Sequence, residues 1–366
     1  MTELAIHAAD QDIGDQLCEQ VRSAYTDRTP LRIVGGDTRG FYGRPVEGQA
    51  LNLAAHSGIV SYDPVELVVT VRAGTRLSAL HAALAENHQM LAFEPPIFGE
   101  ASTIGGAVAT GLSGPRRPWA GAARDFVLGT RVITQEGKLL RFGGEVMKNV
   151  AGYDLSRLMA GAQGTLGVLT DISFKVLPIP TATHSLRLPL NLADALKKLA
   201  ELGRQPLPIT AAAWHNGELF LRLEGGKSSV SATQTRLGGE SLEASFWTSL
   251  RDHSHAFFQL NDGQALWRLS LPPHTAPLKL DIPETDIFYD WAGCQRWLKT
   301  SLEASTLRAA CEAVGGHATC YTPHAQGGAV EPFTPLNKVV EKYHRNLKAE
   351  LDAHGIFNPG RLYAAF

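Results

Sequence analysis

No apolar run in the 366-residue chain approaches the roughly 20 residues needed to cross a bilayer. The opening MTELAIHAADQD lacks the basic and apolar regions of a secretory signal, so the chain is expected in the cytosol. Charge of one sign is also missing. The 34 basic and 36 acidic residues leave a formal charge of −2, and no basic block tracks a nucleic-acid backbone, which argues against nucleic acid as a partner. Cysteine is scarce: Cys18, Cys294, Cys311 and Cys320 are too few and too irregular for a disulfide framework, and reduced thiols are expected. The set Cys311, His317, Cys320 and His324 lacks a Cys-x-x-Cys knuckle, so no metal is expected. Nor do four scattered cysteines form a ferredoxin-like run; an iron–sulfur cluster would have to reside in a partner.

Both common nucleotide fingerprints are absent as well. No glycine cluster has G-x-G-x-x-G spacing between a strand and a helix, and the P-loop interval from Gly106 to Gly111 is followed by Leu112-Ser113 instead of Lys-Ser/Thr. What the chain does contain is glycine in three places. Ala101 to Gly114 packs four glycines and four hydroxyl residues into fourteen positions, a loop suited to close approach, with small donors and a short helix starting near Thr103. Gly35-Gly36-Asp37-Thr38-Arg39-Gly40 follows a short strand, Leu31 to Val34, where backbone N–H groups are commonly presented to a ligand. Gly161 to Gly167 forms the third cluster. A phosphate or pyrophosphate is the natural guest of such loops.

Length predicts two domains. The hydrophobic periodicity predicts helices over 12–25, 77–87 and 154–160, strands over 59–62, 67–71 and 168–177, and a hairpin over 126–142. Pro178-Ile179-Pro180 marks the boundary, giving a first domain over 1–180 and a second over 181–366. In the second, His215-Asn216-Gly217 predicts a hairpin. Helices are predicted over 192–202, 246–258, 302–314 and 337–354, and strands near 265–271 and 317–321. Trp291 and Trp297 stand at helical spacing and read as core. Five of the six tryptophans lie in this second domain, where an apolar partner surface would be sought. The fold class is α+β.

The order and spacing of these segments resemble the FAD-binding domains of the vanillyl-alcohol oxidase, or p-cresol methylhydroxylase (PCMH), type. GGDTRG at 35–40 resembles that family's first pyrophosphate loop, and Pro95 through Gly114 the second. Asp125-Phe-Val-Leu-Gly129 and the 132–142 hairpin follow at the family's interval, and Gly152-Tyr153-Asp154-Leu155 with Gly161 to Val168 resembles the closing segment. The match covers about the first 180 residues. With Asn358-Pro359-Gly360-Arg361, the whole chain is similar to the smaller, E-type FAD-binding subunit of bacterial glycolate oxidases. That resemblance implies FAD held by Gly35, Gly36, Asp37, Thr38, Arg39, Pro95, Ser102, Thr103, Gly105, Gly106, Gly111 and Val168. With no His or Cys where relatives attach flavin, it implies noncovalent binding.

It further implies a complex with a larger FAD subunit and an iron–sulfur subunit that oxidises glycolate to glyoxylate. Any membrane association would come through those partners. The tail over 355–366 is expected to return to the FAD domain. One departure stands out: the His-x-Gly-Asp-Gly-Asn-x-His run of relatives that oxidise 2-hydroxy acids is absent. Flavin chemistry on a hydroxy acid needs a base for the hydroxyl proton and a cation for the carboxylate, and no pair is marked out for them. Arg116, Lys148 and Tyr153 are the candidates that remain. Arg116-Arg117 reads equally as a solvated turn or as cations facing phosphate or carboxylate. An electron relay or assembly role, a stand-alone hydroxy-acid dehydrogenase and a cofactor-less scaffold are the readings to separate.

Overall fold

The computed structural model describes residues 10–144, 153–323 and 330–366. The chain divides into two compact units, one of 1–112, 121–179 and 335–366, the other of 113–120 and 180–334. One division, at 179/180, falls within Pro178-Ile179-Pro180, while 113–120 and 335–366 are exchanged between the units. The C-terminal share of the first unit, however, starts at Pro335 and includes the last helix, not only the residues from 355.

In the first unit, helix Gly14–Asp27 buries Leu17, Val21 and Ala24 on one stripe, as i, i+4, i+7 spacing requires. Asp12 accepts from the Gly14 N–H at 2.8 Å at its start. A five-stranded antiparallel sheet follows the order Ile59–Asp63, Val68–Arg72, Val168–Lys175, Val127–Ile133, Leu139–Gly143. Its central strand is buried along seven of eight residues, Thr170, Asp171 and Ser173 among them. Asp171 in that strand is buried, held by Arg131 at 3.2 Å, with His56 Nε2 3.7 Å from its carboxylate. Beside the sheet, Leu31–Val34 and Gln49–Asn52 pair in parallel. Helix Lys338–Leu351 leads to a tail whose Ile356 and Phe357 are fully buried, and the Leu31 N–H donates to Ile356 O at 2.7 Å.

The second unit is an eight-stranded antiparallel sheet. Helices Leu192–Leu202 and Lys227–Leu237 pack into one apolar cluster around Trp214 and Leu221, and helix Ala304–Glu312 into another around Trp267 and Leu298. One expectation needs correction here. The helix predicted over 246–258 stops at Arg251, because His253 takes φ +55°, and a separate 3-10 turn covers Ala256–Phe258. Trp291 and Trp297 are buried, but one sits on a 3-10 turn and the other on strand Gln295–Thr300, not on a shared helix. Helix Lys227–Leu237 escaped the periodicity reading since only Val230 and Thr233 on it are buried.

Candidate functional site

Strand Leu31–Val34 runs into the first glycine loop, and helix Ile104–Thr110 starts from the second. Thr103 caps that helix, its hydroxyl accepting from the Gly106 N–H at 3.3 Å. The two loops lie against each other. Thr38 and Ser102 share a hydroxyl hydrogen bond at 3.0 Å, and a Cβ on Gly36 would stand 1.6 Å from Ala101 O. Likewise, a Cβ on Gly35 would meet the Thr103 hydroxyl at 2.5 Å, and one on Gly105 would meet Ala73 at 2.7 Å. These three glycines therefore allow protein to approach protein. Gly111 has another duty: at φ +64° it ends the helix, and its Cβ would stand 3.1 Å from Gly161 Cα.

Together with the third loop they enclose a cavity of about 430 Å³ lying wholly within the first unit. That volume is in the range of small-molecule and cofactor pockets. Gly35, Gly36, Asp37, Thr38, Arg39, Thr103, Gly105 and Gly106 line it. Four of the residues assigned by resemblance do not. Pro95 is buried behind the loop, Ser102 reaches the cavity only by fixing Thr38, Gly111 caps the helix, and Val168 is wholly buried while its neighbours Gly167 and Leu169 face the cavity.

Among the described residues, the amide N–H groups of Gly36, Asp37 and Thr38 find no acceptor in the protein. With Asp37 at φ +52° they form the concave donor set that suits an anion. Arg32, Arg39 and Arg361 bring three positive charges to the wall, against one carboxylate, Asp37, paired with Arg32 at 3.1 Å. Arg39 is buried and donates to Pro96 O at 2.5 Å. Ile33, Val34, Val46, Met159 and Leu169 supply an apolar wall. Free amides and guanidinium charge beside apolar surface are what a diphosphate carrying ring systems requires, so the residues fit FAD.

The sequence reading missed the residues that come from the tail and from the third loop. Asn358 accepts from the Ile33 N–H at 2.8 Å and donates to Gln163 O at 2.7 Å. Lys348, buried on the last helix, donates to Thr165 O at 2.8 Å, Phe357 O at 2.9 Å and Asp352 at 2.6 Å. Burial lowers its pKa while Asp352 opposes the shift. The only sequence signal was the Asn358-Pro359-Gly360-Arg361 turn.

Neither Arg116 nor Tyr153 lines the cavity. Arg116 belongs to the second unit, where it is buried and paired with Glu224 at 2.5 Å. Glu224 also holds Arg222 at 3.2 Å, and these guanidinium charges keep its carboxyl below the usual range despite burial. Arg117 lies over the Trp291 ring at 4.4 Å. The pair is thus no solvated turn. Tyr153 is 74% exposed, and Lys148 lies outside the described residues. Cys311 and Cys320 pack in one apolar cluster, where burial pushes both thiols up to about 11; His324 lies outside the described residues. All four cysteines are free thiols.

The family described as "FAD binding domain" matches residues 14–143, which include the first two loops. Among solved structures, p-cresol methylhydroxylase with substrate bound superposes with a TM-score of 0.71 over 96% of this chain and 87% of its own, at 15% identity, which establishes a shared fold. Glycolate oxidase subunit GlcD of Bacillus subtilis (strain 168) is 36% identical over 144 residues, 39% of this chain and 30% of its own. Glycolate oxidase subunit GlcE of Escherichia coli (strain K12) is 51% identical over 353 residues, 96% of this chain and 98% of its own. Identity at that level, running through both units and the tail that closes the cavity, places the chain in the family of glycolate oxidase subunit GlcE.

Proposed function

We propose that this chain holds noncovalent FAD in the cavity between its glycine loops and serves as a subunit of a cytoplasmic glycolate oxidase assembly. The assembly converts glycolate to glyoxylate, with a larger FAD subunit and an iron–sulfur subunit as partners. The observation that carries this reading is the near end-to-end match to a glycolate oxidase subunit, taken with a cavity whose donors suit a diphosphate. Gly36, Asp37, Thr38 and Gly106 would hold the cofactor, with Arg39 and Arg361 behind them.

Bound FAD would supply a two-electron acceptor for the hydride of a 2-hydroxy acid. The chain's own residues offer less for the substrate. Among the described residues lining the cavity there is no His, Lys, Tyr or Cys, hence no evident base for the hydroxyl proton. Asp37 is the cavity's carboxylate and is already paired with Arg32. This favours electron relay or support of assembly over substrate turnover by the chain alone. No helix among the described residues is long and apolar enough to cross a membrane, so any attachment to a membrane falls to the partners.

An absorption spectrum of the purified chain, followed by anaerobic glycolate with and without partner subunits, tests the proposal. Bands near about 450 nm, where oxidised flavins absorb, that bleach only with partners present are expected. A colourless protein would remove the FAD reading, and bleaching of the lone chain by glycolate or D-lactate would favour a stand-alone dehydrogenase.

A further inference from the structure

The guanidinium of Arg361 has five N–H donors in a planar fork, and the structure occupies all of them. Nε donates to Gln163 Oε1 at 3.0 Å. One terminal nitrogen donates to Gly40 O at 3.2 Å and Arg44 O at 2.6 Å. The other donates to Arg39 O at 3.0 Å and Tyr42 O at 2.7 Å. Four carbonyls of one loop are thereby turned toward a single side chain. Through Gln163, whose backbone carbonyl is bound in turn by Asn358, the same side chain ties the first loop to the third. Yet Arg361 has no carboxylate within 4.0 Å among the described residues. Its charge, like those of Arg32 and Arg39, faces a cavity that it lines.

We infer that Arg361 is a positioning residue for the cofactor. It fixes the first loop with its amides open and adds a positive charge beside the cavity, opposed by Asp37, which also pairs with Arg32. With every N–H committed, it strengthens diphosphate binding without donating a hydrogen bond to it. The inference rests on the FAD reading of the cavity and gives Arg361, contributed by the tail, a specific role in it.

The test uses the full-length chain stripped of flavin, as wild type, Arg361→Met and Arg361→Lys. FAD is titrated at low and high NaCl, and the melting temperature of each apoprotein is recorded. Lys keeps the charge but cannot span four carbonyls and a side-chain amide at once. Arg361→Met is expected to weaken FAD on the order of 100-fold and to flatten the salt dependence, since charge and clamp are both lost. Arg361→Lys should weaken FAD roughly tenfold while keeping the wild-type salt slope, since only the clamp is lost. Wild-type affinity in either variant overturns the inference, as does a Lys variant whose salt slope falls with its affinity. Should the Met variant fail to melt cooperatively, the Lys variant decides alone. A wild-type chain that takes up no FAD defeats the underlying reading instead, which keeps the two failures distinct.

Discussion

At the scale of single residues, glycine does two different jobs in loops that look alike. Gly36 is required by the protein itself, because its missing Cβ is the space that Ala101 O occupies. Gly106 faces the cavity, where a Cβ would stand a tight 3.3 Å from the Thr103 hydroxyl, which must give slightly, and 3.6 Å from Arg39 Nη1. Their substitutions should separate accordingly. Gly106→Val is expected to give a folded chain with native circular dichroism and no flavin, its extra methyls filling cofactor space. Gly36→Ala should prise the loops apart, lowering the melting temperature by several degrees as a strained core contact of about 1–3 kcal/mol does. Full flavin in the Gly106 variant would show that the second loop does not touch the cofactor. The glycine pattern could be recognised in the sequence, but which glycine serves packing and which serves a ligand depends on atoms some 65 residues away.

Elements whose pattern is local were legible, and those that depend on distant cover were not. Helix Leu192–Leu202 and the hairpin of Ile209–His215 with Glu218–Gly225 announce themselves by spacing and by Asn216-Gly217. Strands Ile287–Asp290 and Gln295–Thr300 went unread, since Trp291 and Trp297 happen to fall near a helical interval. The break at His253 was equally hidden, and it carries a pH dependence. The ring stacks on Phe258 at 4.3 Å and meets Trp297 edge-on at 4.7 Å. Burial, reinforced by the Arg268 charge, lowers its pKa from 6.5 to about 3. The unfolded chain therefore takes a proton that the folded one refuses between those values, and stability falls as pH drops below about 6.5. For this group alone the slope is about 1.4 kcal/mol per pH unit. Burial lowers His215, His255 and His317 too, so the losses share one sign. Urea unfolding at pH 7 and pH 5 should show a smaller difference for His253→Phe than for wild type; equal differences would mean that His253 titrates normally in the fold.

At the scale of the whole molecule, chain order and unit order disagree, and the resemblance of the first 180 residues to a complete FAD domain conceals this. The first unit closes only with residues 335–366, through fully buried Ile356 and Phe357 and the buried pair of Lys348 with Asp352 at 2.6 Å. A chain cut after Ile179 should accordingly fail to give a cooperative thermal transition and fail to retain flavin, measured by calorimetry and by absorbance after gel filtration. Cooperative melting of that fragment would show the tail to be an ornament of the unit. The tail's hold on the loops also has a consequence for how the protein comes into being. Arg361 cannot reach Gly40 until it has left the ribosome, so the clamped first loop can form only after the second unit has been synthesised. A chain ended early by a stop codon or frameshift carries both glycine loops without that clamp and is expected to hold flavin more weakly than the full chain.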